Sequence, residues 1–268
     1  LFYAQRLYQF PLGVFGIAVA TAAFPTLSRN ANNPDAFAQT LRRGLRLSLY
    51  IGIPASIGLF IVRDPLVATL YGHGGFSESG IARASIVLGG YSLAVWAYSL
   101  NQLYTRAFYA KNDTKTPMMI ALGAVALNLT LNVTLIWRFR EAGLAYSTAI
   151  SALAQCIALG IASKKLTGPD SSPPGTGIRS GLVRILIGSA LMGLASYGIV
   201  RGFGDQGSWA KNAGVLVGAT GVGAAIYAVW SILTRMPEPR WLIERSTDDL
   251  STPRGDDKEP KNEDQSTL

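Results

Sequence analysis

The sequence predicts an all-α protein, a polytopic bundle of transmembrane helices. Seven stretches of 16 to 23 residues contain no charged side chain, and nearly every Lys and Arg falls between them or near the C-terminus. A helix needs roughly 20 apolar residues to cross a hydrocarbon core of about 30 Å. Inside that layer no water can satisfy a broken backbone, so spans are helices or strands of a closed barrel. These stretches are too long and too continuously apolar for barrel strands.

The spans follow in order. Residues 7–28 carry Gly13, Gly16, Ala20 and Ala23 on one helical stripe, with Pro11 and Pro25 inviting bends. Residues 47–62 contain Pro54 and, being short, borrow a turn from their flanks. Residues 84–105 place Asn101 and Thr105 one turn apart, and residues 116–137 do the same with Asn128 and Asn132. Residues 142–163 enclose the single cysteine, Cys156, which can form no internal disulfide. Residues 185–200 and 212–234 complete the set, the last with Gly214 and Gly218 in a GxxxG that predicts close helix packing.

Orientation follows from the loops. Those after the first, third and fifth spans carry four, three and four Lys or Arg, whereas those after the second, fourth and sixth carry two each. The odd loops are therefore expected in the cytoplasm, and so is the C-terminus. The Pro, Gly and Ser-rich stretch Thr167 to Gly177 reads as a linker. The expected divisions are a five-span block over residues 1–166, a linker over 167–178, a two-span block over 179–236 and a disordered cytoplasmic tail over 237–268. That tail has nine Asp or Glu against five Lys or Arg. Because the chain opens with Leu1 in what already reads as a helix, it is expected to be a fragment lacking an upstream part.

A pI of 9.7 invites a nucleic-acid reading, but the charges sit at helix ends, where topology and anionic lipid headgroups explain them. No nucleic-acid partner is expected. Catalytic constellations are missing from the pattern: the seven acids before residue 237 all lie in loops, and His73 and Cys156 are the only residues of their types. One of each makes neither a zinc site nor a Cys/His dyad. No metal, cofactor or enzymatic activity is expected, which favours transport or scaffolding. Among the polar residues within spans, Arg6 stands out, with Gln9 and Gly13 on its face. A guanidinium at that depth suits a phosphate, which it can bind bidentately; the bland alternative is an arginine snorkelling to the outer interface. Asn128 and Asn132 are candidate cavity amides, with hydrogen bonding between helices as their plainer role.

At this point the residues carry a resemblance. YAQRLYQFPLGVFGIAVATAAFPTLSR (Tyr3 to Arg29) is similar to the eighth transmembrane helix of the MurJ/MviN lipid II flippases, with its Y-A-x-R core. RAFYAKNDTKTP (Arg106 to Pro117) resembles the stretch between that family's tenth and eleventh helices, and LYGHGGFS and NLTLNVTLI resemble it less specifically. The matches run in order over about Leu1 to Leu166. The resemblance implies a member of the multidrug/oligosaccharidyl-lipid/polysaccharide exporter superfamily in a bacterial inner membrane, built as a fourteen-helix transporter of which this chain supplies helices eight to fourteen. It implies that Arg6 lines a central cavity and engages the pyrophosphate of undecaprenyl-diphosphate-linked lipid II. By the same resemblance, the substrate's tail stays in membrane lipid along the last two helices, and the missing N-terminal lobe is a partner. Where some members carry acids near this arginine, this chain has Gln5 and Gln9. Two rivals stay open: a related exporter of lipid-linked oligosaccharide, polysaccharide or drugs, and a non-transporting membrane scaffold.

Overall fold

The computed structural model describes residues 6–9, 12–72, 77–167, 178–203 and 209–239. His73, Pro11, the linker from residue 168 to 177 and the tail from residue 240 lie outside these. A helical turn at residues 6–9 is followed by a wide π-type turn, Leu12–Ile17, that runs into α1 (Ala18–Arg29). Next come α2 (Pro34–Ile61), the short α3 (Arg63–Tyr71), α4 (Glu78–Ser92) and α5 (Val95–Ala110). A long α6 (Lys115–Ala162), a 3-10 turn (Ser163–Leu166), α7 (Ile178–Phe203) and α8 (Trp209–Leu233) complete the order.

Local chemistry explains the starts. Asn33 precedes Pro34 and its side chain accepts from the Ala36 N–H at 3.1 Å, satisfying a donor that the first turn of α2 leaves open. Ser77 does the same for Gly80 at 3.2 Å, and Asp113 accepts from the Thr116 N–H at 3.0 Å. The Asp113-x-Lys-Thr-Pro motif that carried part of the resemblance is thus, locally, a helix start. The bond from the Thr116 backbone, with its hydroxyl adding to it, holds the Asp113 carboxyl below the ordinary carboxylate range. A depressed carboxylate stabilises the fold above its unfolded-state pKa of about 3.9 and loses that contribution as pH falls through the lower folded value. Asp113→Ala is therefore expected to lower the unfolding temperature at neutral pH, with the gap to the parent closing below about pH 4. Asp113→Asn, which keeps an acceptor without the charge, should fall between Asp113→Ala and the parent at neutral pH in the same thermal melts.

Two spans depart from straight rods. The stretch expected as one helix over 84–105 is two, α4 and α5, bent by 42° at Leu93 and Ala94. A bend frees backbone donors, and Ser56 of α2 accepts from the Trp96 N–H at 3.1 Å. Gly52 makes that approach possible, since a Cβ there would lie 2.9 Å from the Trp96 Cα. Gly52→Ala is expected to cost about 1–3 kcal/mol by overpacking, readable as a lower unfolding temperature in detergent.

The long α6 reverses at Arg140, whose φ of 50° and ψ of −132° are not helical. In a straight helix Asn128 and Thr148 would stand about 30 Å apart, yet their side chains hydrogen-bond at 3.4 Å. The two arms therefore run antiparallel, as expected for spans 116–137 and 142–163. Among the described residues, four helices are each long and apolar enough to cross a membrane, and the bent pair α4–α5 adds a fifth crossing. Division of α6 into two arms separates the fourth and fifth expected spans, and α1 with its π-type turn occupies most of the first.

At the centre lies α2, packed against α1, α5 and α7, while α4 and α5 pack on α6. Leu27, Phe37, Leu41, Leu103, Phe108 and Leu159 fill one buried cluster, and Tyr8, Leu59, Val67, Leu88, Tyr91 and Val95 belong to a second. The α7–α8 pair closes on α2 and α3. Its contact does not use the GxxxG glycines: a Cβ on Gly214, Gly218 or Gly221 would meet nothing within 4 Å. The close approaches are at Gly188, against Trp230, and at Gly223, against Ser196 and Met192. Spacing identified a small face but not which small face is turned inward.

The connections alternate between two ends. Lys111 donates to the Ala31 carbonyl and stands 4.8 Å over the Phe37 ring, joining the first and third connections. Arg46 of α2 donates to Glu238 Oε1 at 2.7 and 3.0 Å, bringing the segment after α8 to that same end. At the opposite end the Trp209 indole donates to the Thr69 carbonyl at 3.0 Å, and Arg83 lies 4.0 Å from Glu141. Glu238, which composition assigns to the tail, is only 1% exposed.

Candidate functional site

Helix geometry at residues 6–9 separates two faces. Tyr8 is buried, its ring stacked on Tyr91 at 4.7 Å and near Tyr98 at 6.0 Å. Arg6 and Gln9 are exposed, and the Gln9 side chain lies within hydrogen-bonding reach of the Tyr8 hydroxyl. The tyrosine stack fixes the rotation of the turn, and so the direction in which Arg6 is presented. Gly13 also opens on space, with nothing within 4 Å of where a Cβ would lie.

Asn128 and Asn132 meet each other rather than Arg6. The Asn132 amide donates to Asn128 Oδ1 at 3.0 Å, and the Asn128 amide donates to the Thr148 hydroxyl on the second arm of α6. Thr148 in turn lies within hydrogen-bonding reach of the Tyr91 hydroxyl. A polar ladder thus runs from Asn132 through Asn128, Thr148 and Tyr91 to Tyr8, two residues from Arg6. Asn132 Oδ1 is buried with no hydrogen-bond partner among the described residues. Asn101, by contrast, donates to the Ala152 carbonyl at 3.1 Å, the interhelical role expected of it.

Sequence reasoning missed the tyrosines. Tyr8, Tyr91 and Tyr98 come from the first helical turn, α4 and α5, and only folding stacks them. Their signal was three phenols inside otherwise apolar spans, a position where the hydroxyl needs a partner.

Chemically the exposed face offers the Arg6 guanidinium and the Gln9 amide, groups able to bind an anion. Among the described residues no three His, Cys, Asp or Glu side chains gather as metal ligands. Two cavities among the described residues lie away from Arg6. One, of about 970 Å³, is an apolar groove between α2, α5 and α7; the other, of about 840 Å³, is polar and lies at the end of the bundle near Arg63 and Trp209.

The comparisons with known proteins converge. The family model described as "Lipid II flippase MurJ" matches residues 1–215. A Vibrio cholerae protein named "Probable lipid II flippase MurJ" is 38% identical over 154 residues, covering 57% of this chain and 29% of that protein. A Thermotoga maritima protein of the same name is 28% identical over 244 residues, covering 91% and 47%. The solved structure titled "Lipid II flippase MurJ, inward closed conformation" superposes with a TM-score of 0.73 at 25% identity, covering 87% of this chain and 46% of that one. The chain thus spans less than half the length of each of these relatives. With a family match over most of its length and the helical arrangement of a solved member, the chain belongs to the lipid II flippase MurJ family.

Proposed function

We propose that this chain is the C-terminal part of a lipid II flippase, working by alternating access with a second lobe. The observation that carries the reading is Arg6: the family match covers it, and it is exposed on a helical turn whose Tyr8 is packed into the lobe. A cation in that place lowers the cost of bringing a diphosphate headgroup into the layer, by charge-assisted hydrogen bonds, while the lipid tail stays in hydrocarbon. Gln9, one turn along on the same open face, supplies a neutral donor. Rocking of two lobes about such a face would open it first to one side and then to the other.

The first arm of α6 supports a partner bundle. Met118, Met119, Leu122, Val125, Leu129 and Val133 are exposed along it, a wide apolar surface for lipid or for another bundle. Residues 1–166 act in this reading as a lobe, and residues 179–236 as an appended pair. The protein is read as a multi-pass inner-membrane transporter with a cytoplasmic C-terminus, its substrate undecaprenyl-diphosphate-linked lipid II.

Complementation tests the reading. In bacterial cells depleted of their own lipid II flippase, this chain joined to its upstream lobe is expected to restore lipid II accessibility at the outer surface, and the chain without that lobe is not. Failure of the joined protein, once shown to be inserted, would overturn the assignment of substrate.

A further inference from the structure

The polar cavity at the Trp209 end has no part in the proposed function, and its lining carries charges of both signs. It is formed where α3, the start of α4, the end of α7 and the start of α8 meet. Two guanidiniums, Arg63 and Arg201, and two carboxylates, Asp64 and Glu78, line it, with Arg63 Nε 3.9 Å from Asp64 Oδ1, so its formal charge is zero while both signs are present. Ser85, 1% exposed, also lines it, and the Ser85 hydroxyl has no hydrogen-bond partner among the described residues. A buried, unsatisfied hydroxyl on a roomy polar cavity points to a polar ligand.

The apolar groove runs into this cavity. Phe60, Ile61 and Tyr197 line both. Arg63 stands at the junction: its Nη1 donates to the Phe60 carbonyl at 2.9 Å, and its guanidinium lies 4.4 Å from the Phe60 ring centroid. Beyond it the groove continues between Ile53, Ile57, Leu186 and Leu194, and its exposed lining is almost wholly apolar. The two volumes, about 970 and 840 Å³, are each in the usual range for a ligand site, roughly 300–1,000 Å³. A slot that is apolar along its length and charged at one end, with the Trp209 ring at the charged end, has the profile of one amphiphile lying at a membrane interface.

From this geometry we infer that the joined cavities hold one zwitterionic phospholipid with a primary-ammonium headgroup. Its phosphate sits at Arg63 and Arg201, its ammonium at Asp64 and Glu78, and an acyl chain lies in the groove between α2, α5 and α7. Charge balance selects this class: a purely anionic headgroup would face both carboxylates, and a quaternary ammonium could donate no hydrogen bond to them. In the orientation expected from the loop charges the lipid belongs to the outer leaflet. It would fasten the α7–α8 pair to the lobe at the end where Trp209 meets Thr69. The inference does not depend on which substrate the protein moves.

Native mass spectrometry of the purified 268-residue chain tests it. The chain is equilibrated in detergent micelles with equal amounts of palmitoyl-oleoyl phosphatidylethanolamine, phosphatidylglycerol and phosphatidylcholine, with undecaprenyl phosphate as a competitor. One retained ethanolamine lipid per chain is expected, favoured about tenfold over choline, as for loss of a charge-assisted hydrogen bond. Arg63→Gln with Arg201→Gln should reduce retention of the ethanolamine lipid by about tenfold or more. Asp64→Asn with Glu78→Gln should instead move the preference toward the glycerol headgroup, an outcome that misfolding would not produce. Equal retention of the three headgroups, or displacement of the ethanolamine lipid by undecaprenyl phosphate, overturns the inference. Unchanged selectivity in the carboxylate variant does so as well.

Discussion

Arg6→Ala, in a chain that includes the partner lobe, is expected to abolish lipid II movement while leaving membrane insertion intact. The reason is the cost of charge in hydrocarbon. A diphosphate entering the layer without a cation loses its hydration with nothing in exchange, and each charge-assisted hydrogen bond from a guanidinium recovers about 1.5–3 kcal/mol. Losing two such bonds lowers the rate by a hundredfold or more, since each 1.4 kcal/mol is about a factor of ten. Arg6→Lys keeps the charge but not the planar fork, so a partial loss is expected. Gln9→Ala, which removes a neutral donor, should cost less than Arg6→Ala. An assay of headgroup accessibility at the outer surface reads all three. Wild-type movement by Arg6→Ala would remove the guanidinium from the site.

The largest effect on stability is expected at Glu238. Its carboxylate is 1% exposed and receives both Arg46 bonds on Oε1, while the Arg46 side chain is 22% exposed. Removing one partner of a buried pair strands the other charge, a loss of about 3–5 kcal/mol. Because Arg46 retains some contact with solvent, Glu238→Ala belongs at the lower end of that range. Glu238→Gln keeps an acceptor and should lose less. A packed apolar replacement of both residues, Arg46→Met with Glu238→Leu, is expected to recover much of the deficit, since neither charge is then left buried. Thermal unfolding of the four proteins in detergent checks the order, and a double variant less stable than Glu238→Ala would mean that the two side chains do not act as a pair. The neighbouring bonds, from the Tyr227 hydroxyl to the Tyr50 carbonyl at 2.8 Å and between Tyr50 and Ser231 at 2.9 Å, make this end of α8 the fastening point onto α2. Ion pairing at residue 238 thus fastens the segment that follows α8, eleven residues beyond Tyr227, to α2.

Legibility in the sequence differed from element to element for physical reasons. The crossings were readable because a charge is costly in hydrocarbon, so Arg29, Arg63, Arg83, Arg106, Arg138, Glu141 and Lys164 mark where the chain leaves the layer. The reversal in α6 was readable through the same cluster, Arg138, Arg140 and Glu141. The bend between α4 and α5 was not, because Leu93 and Ala94 carry no Pro or Gly signal; its stability comes from Ser56 on another helix. The glycines of α8 were read for their size, but size does not say which side faces a neighbour, and Gly214 and Gly218 face open space. Of the candidate site, Arg6 and Gln9 were found as polar groups on one helical face. Their rotation was decided by Tyr8, whose partners Tyr91 and Tyr98 lie more than eighty residues away.

By itself the sequence determined that the chain folds as a set of long apolar helices and the family to which its motifs point, because transfer from water is a property of each segment alone. Only the tertiary structure decided which faces touch: the stack that aims Arg6, the pair that buries Glu238 and the slot that joins apolar groove to charged end. Those depend on side chains brought together from distant helices, and contact between two surfaces is written in neither surface separately.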